Sequence, residues 1–264
     1  MNIGLMALIL FLIAVLMTMT GRGGGNFYVI TLVLFGVEMH TAATTGQFIL
    51  FISSLAATLI YGQKRVVEWK LVFFIGILTA VSSFCGGYFS AYFSGKTLKF
   101  VFSFFLLIAA LLMLRPVKEL EKKIKAKKRL VWRLKSGDNN FIIDLKTAVP
   151  IIIATGFGAG MVGVSGGSFL VPLMVLACSV PMRIAVGTST TLVSITALMG
   201  FIGHTISGHF DYRMAVPLAL AGAIGGILGG KIAMKTKSTK LKLLFAYTTL
   251  AASIIMVLNA IMSK

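Results

Sequence analysis

The chain has 264 residues, 58% of them hydrophobic and only 12% charged, with a formal net charge of +18. Uncharged runs such as 71–93 and 185–202 reach the roughly 20 residues that cross a bilayer, which argues against a soluble all-helical core. The basic excess would suit nucleic acid in a soluble protein, but it clusters between hydrophobic segments, where it marks topology and touches anionic lipid; no nucleic-acid partner is expected.

In chain order, apolar segments fall near 3–20, 26–37, 42–61, 71–93 and 97–114. The first lacks a basic flank and a small-residue cleavage site, so it is expected to be retained. A polar, basic stretch covers 115–146, and a second set follows near 147–162, 168–180, 185–207, 214–234 and 241–262. Five segments, a linker and five segments indicate an internal duplication, dividing the chain into a first transmembrane repeat (1–114), a basic linker (115–146) and a second repeat (147–264). Gly21, Gly24, Gly25, Phe27 and Val29 match Gly163, Gly166, Gly167, Phe169 and Val171 at one constant offset. One residue of adjustment later, Glu68-Trp69-Lys70 matches Asp211-Tyr212-Arg213, and Gly86-Gly87 matches Gly229-Gly230.

Segments 26–37 and 168–180 are too short to cross as straight helices, and each follows a glycine cluster. Broken or re-entrant helices at matching places in two halves point to a transporter's binding site, with close helix packing through small residues as the competing reading. The expected fold is therefore an all-α polytopic membrane protein of two inverted repeats.

Lysine and arginine set the orientation. The linker carries ten basic residues between Arg115 and Lys135 and is expected to stay in the cytoplasm, with the Lys64-Arg65 and Lys235–Lys240 loops on the same side and both termini outside. Lys96 and Lys99 fall on the wrong side of this scheme. Val117, Leu120, Ile124, Leu130 and Trp132 interleave with the linker's basic residues; an amphipathic helix on the inner leaflet is one reading, a solvated positive signal contacting anionic lipids the plainer one.

The chemistry expected is that of anion recognition. Glu38, Glu68 and Asp211 lie at segment ends, so no buried carboxylate favours a cation. Gly163, Ser165, Gly166, Gly167 and Ser168 offer backbone amides and hydroxyls at a helix start, and Gly187-Thr188-Ser189 repeats that chemistry at the next segment. In the first repeat the counterparts are Gly24, Gly25 and Asn26, then Thr45 and Gln47. Arg22, flanked by glycines, either supplies a positive charge to this donor-rich cavity or snorkels to the interface. Arg183 could draw anions to a cytoplasmic mouth or merely mark the interface. His204, late in an apolar segment, is a candidate for proton coupling or a hydrogen-bonded structural histidine. Cys85 and Cys178 lack paired spacing, and no metal, cofactor or catalytic pair is indicated, so an enzyme is not expected.

The two Gly-x-x-Gly-Gly-x-Phe-x-Val cores, the Ala185-Val186-Gly187-Thr188-Ser189 turn and the Asp211-Tyr212-Arg213 triplet resemble the TauE/SafE family of sulfite and organosulfonate transporters. Arg22 and Thr45-Gly46-Gln47 depart from the family's pattern in the first repeat. The resemblance implies a multi-pass inner-membrane carrier that exports a sulfur oxyanion or organosulfonate (sulfite, sulfoacetate or thiosulfate type), coupled to protons. Alternatives are a passive anion channel, and a membrane scaffold or signalling subunit that recruits a partner through the basic linker. Neither substrate nor oligomeric state is legible.

Overall fold

The computed structural model describes residues 3–94, 97, 131–136, 139–163, 166–177, 180–206, 208, 210–241 and scattered positions from 243 to 258. Most of the expected segment 97–114, the linker up to residue 130, Ser165, Cys178, His209 and the side chain of Asn26 lie outside the described residues. The first half contains α1 (Ile3–Met19), α2 (Gly25–Leu34), α3 (Met39–Gln63) and α4 (Trp69–Phe89), which runs into a 3-10 turn at Ser90–Tyr92. Strands β1 (Val131–Ser136) and β2 (Asn139–Asp144) follow. The second half contains α5 (Leu145–Val162), α6 (Gly167–Pro172, continued by a π turn at Leu173–Ala177), α7 (Met182–Thr205) and α8 (Tyr212–Lys235). Described residues from 238 onward are again helical.

Four helical stretches, Met39–Gln63, Trp69–Tyr92, Met182–Thr205 and Tyr212–Lys235, are long and apolar enough to cross a membrane. Large apolar side chains such as Phe73, Val81, Leu59 and Leu220 point outward, as expected where the solvent is lipid. The all-α polytopic expectation holds, with one correction in the linker. Val131–Ser136 and Asn139–Asp144 pair as antiparallel strands, with Trp132 opposite Ile143, and are not part of an amphipathic helix. Trp132 packs edge-on against Phe74 of α4, with ring centroids 5.0 Å apart, and Ile143 is buried. Packing on α4 together with the ladder outweighs the local helical pattern.

Glycine positions give the helix directions. Gly225 and Gly229 of α8 meet Phe11–Ala14 and Val15–Thr18 of α1, so these helices run parallel; Gly222, Gly226 and Gly230 likewise follow Ile49, Ser53 and Ile60 of α3. In the other half, Gly156 and Gly160 of α5 follow Thr79 and Ser83 of α4, and Gly76 and Gly87 of α4 follow Leu192 and Gly200 of α7. At the centre α3 and α7 cross antiparallel, Gln47 beside Gly200 and Val66 beside Gly187. Each contact thus has a counterpart with the halves exchanged: α1 on α8 answers α5 on α4, and α3 on α8 answers α7 on α4. This reciprocity is what a two-fold relation produces.

The matching triplets have a local physical role. The Glu68 side chain accepts from the Lys70 amide, and Asp211 accepts from the Arg213 and Met214 amides, capping α4 and α8. Trp69 and Tyr212 beside them are exposed, the position of an interfacial aromatic belt.

Candidate functional site

The first glycine of each cluster ends a helix. Gly21 has φ +79°, and the amides of Gly21 and Arg22 bond back to the Thr18 and Met17 carbonyls, a glycine-terminated Schellman end for α1. Gly163, with φ +78°, closes α5 through its amide to the Gly160 carbonyl. After each turn the chain doubles back. Gly23 lies at Leu50 and Ser54, whereas Val29 lies at Gly46, so α2 climbs antiparallel to α3. In the second half Gly167 lies at Val193, whereas Val171, with Val186, lies at Gly21, so α6 descends antiparallel to α7. The short segments are therefore the return arms of two hairpins.

The hairpins meet each other. A Cβ on Gly167 would sit 2.7 Å from the Gly21 carbonyl oxygen and 2.9 Å from Arg22 Cα. Ser189 Oγ donates to that same Gly21 carbonyl at 2.7 Å. At the second junction a Cβ on Gly163 would sit 2.5 Å from Ala43 Cα, one on Gly46 would approach the Gly163 carbonyl, and Gln47 Nε2 donates to the Ala159 carbonyl at 3.1 Å. Of the expected site residues, Arg22, Gly167 and Ser189 are thus gathered at one junction and Gly163 and Gln47 at the other, each joining a glycine turn of one half to the α3 or α7 stretch of the other. Arg22, Gly24, Gly25, Gly166, Gly167, Ser168, Gly187 and Ser189 are buried, as are Gly163, Thr45, Gln47 and Thr188. Asn26 occupies the first turn of α2.

Several expected donors have partners inside the protein. Thr188 Oγ1 accepts from the Glu68 amide at 2.9 Å, and Gly187 admits the Val66 carbonyl, so this turn holds the α3–α4 loop. Arg22 is 1% exposed, which rules out the snorkelling alternative. Its Nη2 donates to Thr248 Oγ1 at 2.6 Å and to Met17 Sδ at 3.1 Å, and the residue sits between the negative end of α1 and the positive end of α2. Thr45 Oγ1 and Gln47 Oε1 are buried with no hydrogen-bond partner among the described residues.

His204 is 2% exposed and bridges α7 to α4 and α5. Its Nε2 faces the Gly160 carbonyl at 2.7 Å, so that nitrogen carries a hydrogen; Nδ1 faces Ser90 Oγ at 3.0 Å, and Ser90 Oγ lies 2.6 Å from the Gly87 carbonyl. A neutral ring takes the Ser90 hydrogen at Nδ1. A charged ring donates from Nδ1 to Ser90, which then donates to Gly87. Both protonation states are hydrogen-bonded. Ser90 and Thr248 were not legible as site residues: each partners a residue more than a hundred positions away, and the only local hint for Ser90 was its place one turn after Gly86-Gly87.

Buried, hydroxyl-bearing helix breaks facing each other inside an apolar bundle define a transporter of the membrane rather than a catalyst. A family described as Sulfite exporter TauE/SafE matches residues 6–256. The chain belongs to this TauE/SafE family and is a multi-pass membrane transporter, not an enzyme. It is similar to the "Probable membrane transporter protein YunE" of Bacillus subtilis, 28% identical over 237 residues that cover 84% of this chain and 85% of the relative. It is also similar to a protein of Methanocaldococcus jannaschii named a probable membrane transporter protein, 25% identical over 243 residues, 88% of this chain and 85% of the relative. No solved structure gives a significant match.

Proposed function

We propose that this transporter exports a sulfur oxyanion or organosulfonate (sulfite, sulfoacetate or thiosulfate type) across the cell's inner membrane by alternating access between two inverted repeats, coupled to protons. The observation that carries the reading is the meeting of the two glycine hairpins, with amides, hydroxyls and Arg22 at the junctions and the Thr45 hydroxyl buried without a partner among the described residues. A hydroxyl and uncapped helix starts offer hydrogens to an anion, and Arg22 supplies charge. Gly167 and Gly21 are in backbone contact, so an anion enters when the hairpins part, by the rocking of one repeat against the other. Ser165, Ser168 and Asn26 complete the donor set on this reading. The family's description as sulfite exporters supports the substrate class.

His204 carries the coupled proton, because its bridge to Ser90 and Gly160 accommodates both charge states. The basic linker lies in the cytoplasm against anionic lipid, and both termini lie outside.

The test is flux in proteoliposomes holding the full chain. The reading predicts saturable sulfite or organosulfonate transport that accelerates with an imposed pH gradient, and a His204→Gln protein that still transports but no longer responds to the gradient. Non-saturating flux would favour a channel, and an unchanged gradient response in the variant would remove His204 from coupling.

A further inference from the structure

A basic pocket lies away from the hairpins, where the end of α3, the start of α7 and the end of α8 converge. This pocket of about 610 Å³ is lined by Gln63, Lys64, Arg183, Lys231 and Lys235 among apolar neighbours, with no carboxylate on its wall among the described residues. Arg183 occupies the first turn of α7, the positive end of the helix dipole, and that turn carries no acidic residue and no side-chain cap. One guanidinium nitrogen, Nη2, donates to the Thr236 carbonyl at 3.2 Å, which closes the end of α8. Arg183 Nε is buried and has no partner among the described residues. Four cations around one concavity, one of them at an unfavourable helix end with an unanswered donor, call for a negative ligand.

The duplication supplies an internal control. At the positions matching Arg183, Lys231 and Lys235, the first half has Thr41, Tyr88 and Tyr92. The helix framework therefore packs without these charges, and the pocket's positive wall belongs to one end of the bundle.

We infer that the pocket between α3, α7 and α8 binds a tetrahedral oxyanion group, which is either the phosphate of an anionic lipid headgroup or a free anion held at the mouth of the transporter. The inference is independent of which solute the hairpins carry. Lys64 and the exposed Lys231 and Lys235 close around the anion from the rim, with Arg183 on the wall.

Purified, delipidated full chain in neutral detergent is the material for the test, with two probes, inorganic sulfate and phosphatidylglycerol. Thermal unfolding follows each titration, and retention of phosphatidylglycerol over phosphatidylcholine is read by native mass spectrometry. The exposed pair Lys231→Gln/Lys235→Gln is expected to weaken binding by about tenfold or more while leaving the ligand-free unfolding temperature near that of the parent. Lys237→Gln, outside the pocket, is expected to change nothing. Loss of the sulfate response in the pocket variant identifies a free-anion site, and loss of phosphatidylglycerol retention identifies a headgroup site. Binding of neither probe, equal binding by the pocket variant, or an equal loss in Lys237→Gln would overturn the inference.

Discussion

Gly163 has φ +78°, and a Cβ there would lie 2.5 Å from Ala43 Cα, so alanine meets both a left-handed backbone and a neighbouring main chain that cannot swing aside. Gly36 has φ +87° but open space around it. The left-handed term alone costs about 1–2 kcal/mol, so Gly36→Ala is expected to lose about that much stability, and Gly163→Ala clearly more through overpacking. Unfolding midpoints in detergent separate the two; equal losses would mean that the close approach at Ala43 contributes nothing. The glycines were legible as breaks because Gly-rich stretches interrupt apolar runs. What each glycine touches was not legible, because Gly21 meets Val186 and Gly163 meets Ala43 across the duplication. The same holds for Arg22, whose burial beside Thr248 depends on a helix at the far end of the chain.

Among the elements, α4 and α8 show a repeat signal turning into a physical device. Glu68 and Asp211 were visible as matching acids, and the structure makes both of them N-caps. Asp211→Ala is expected to cost about 1 kcal/mol in thermal stability, while Asp211→Asn keeps the cap and most of the stability. An alanine variant as stable as the asparagine one would show that the cap is idle. The β1–β2 hairpin was less legible. Trp132-Arg133-Leu134-Lys135 alternates with a strand's period of two, but the apolar residues Val117, Leu120, Ile124 and Leu130 interleaved with basic ones upstream suit a helix. The hairpin is worth forming because Phe74 of α4 receives Trp132 and the core receives Ile143. Whether the short segments span or return was equally hidden: ten residues of α2 give a length, and the direction comes from Val29 lying at Gly46.

Across the whole molecule, the helix contacts repeat with the two halves exchanged, and the antiparallel α3–α7 crossing stands at the centre of that exchange. On the proposed reading, such an arrangement would give the transporter two nearly equivalent packings, one for each side of the membrane, with each glycine hairpin moving against the opposite half. The two halves are not equivalent in residue type: Thr45 and Gln47 stand where the second half has Gly187 and Ser189. Ser189 is spent on the Gly21 carbonyl, whereas the Thr45 hydroxyl is buried with no partner among the described residues. On the proposed reading, the difference between the two repeats falls on the group that would meet a substrate. The most direct measurement is the unfolding temperature of the purified chain against sulfite, thiosulfate, sulfate, sulfoacetate, taurine and chloride, repeated with Thr45→Val, since a ligand bound only by the folded state raises that temperature. The account predicts a selective rise with a sulfur oxyanion or sulfonate that is strongly reduced in Thr45→Val. No rise with any sulfur anion, or the same rise in the variant, would contradict it.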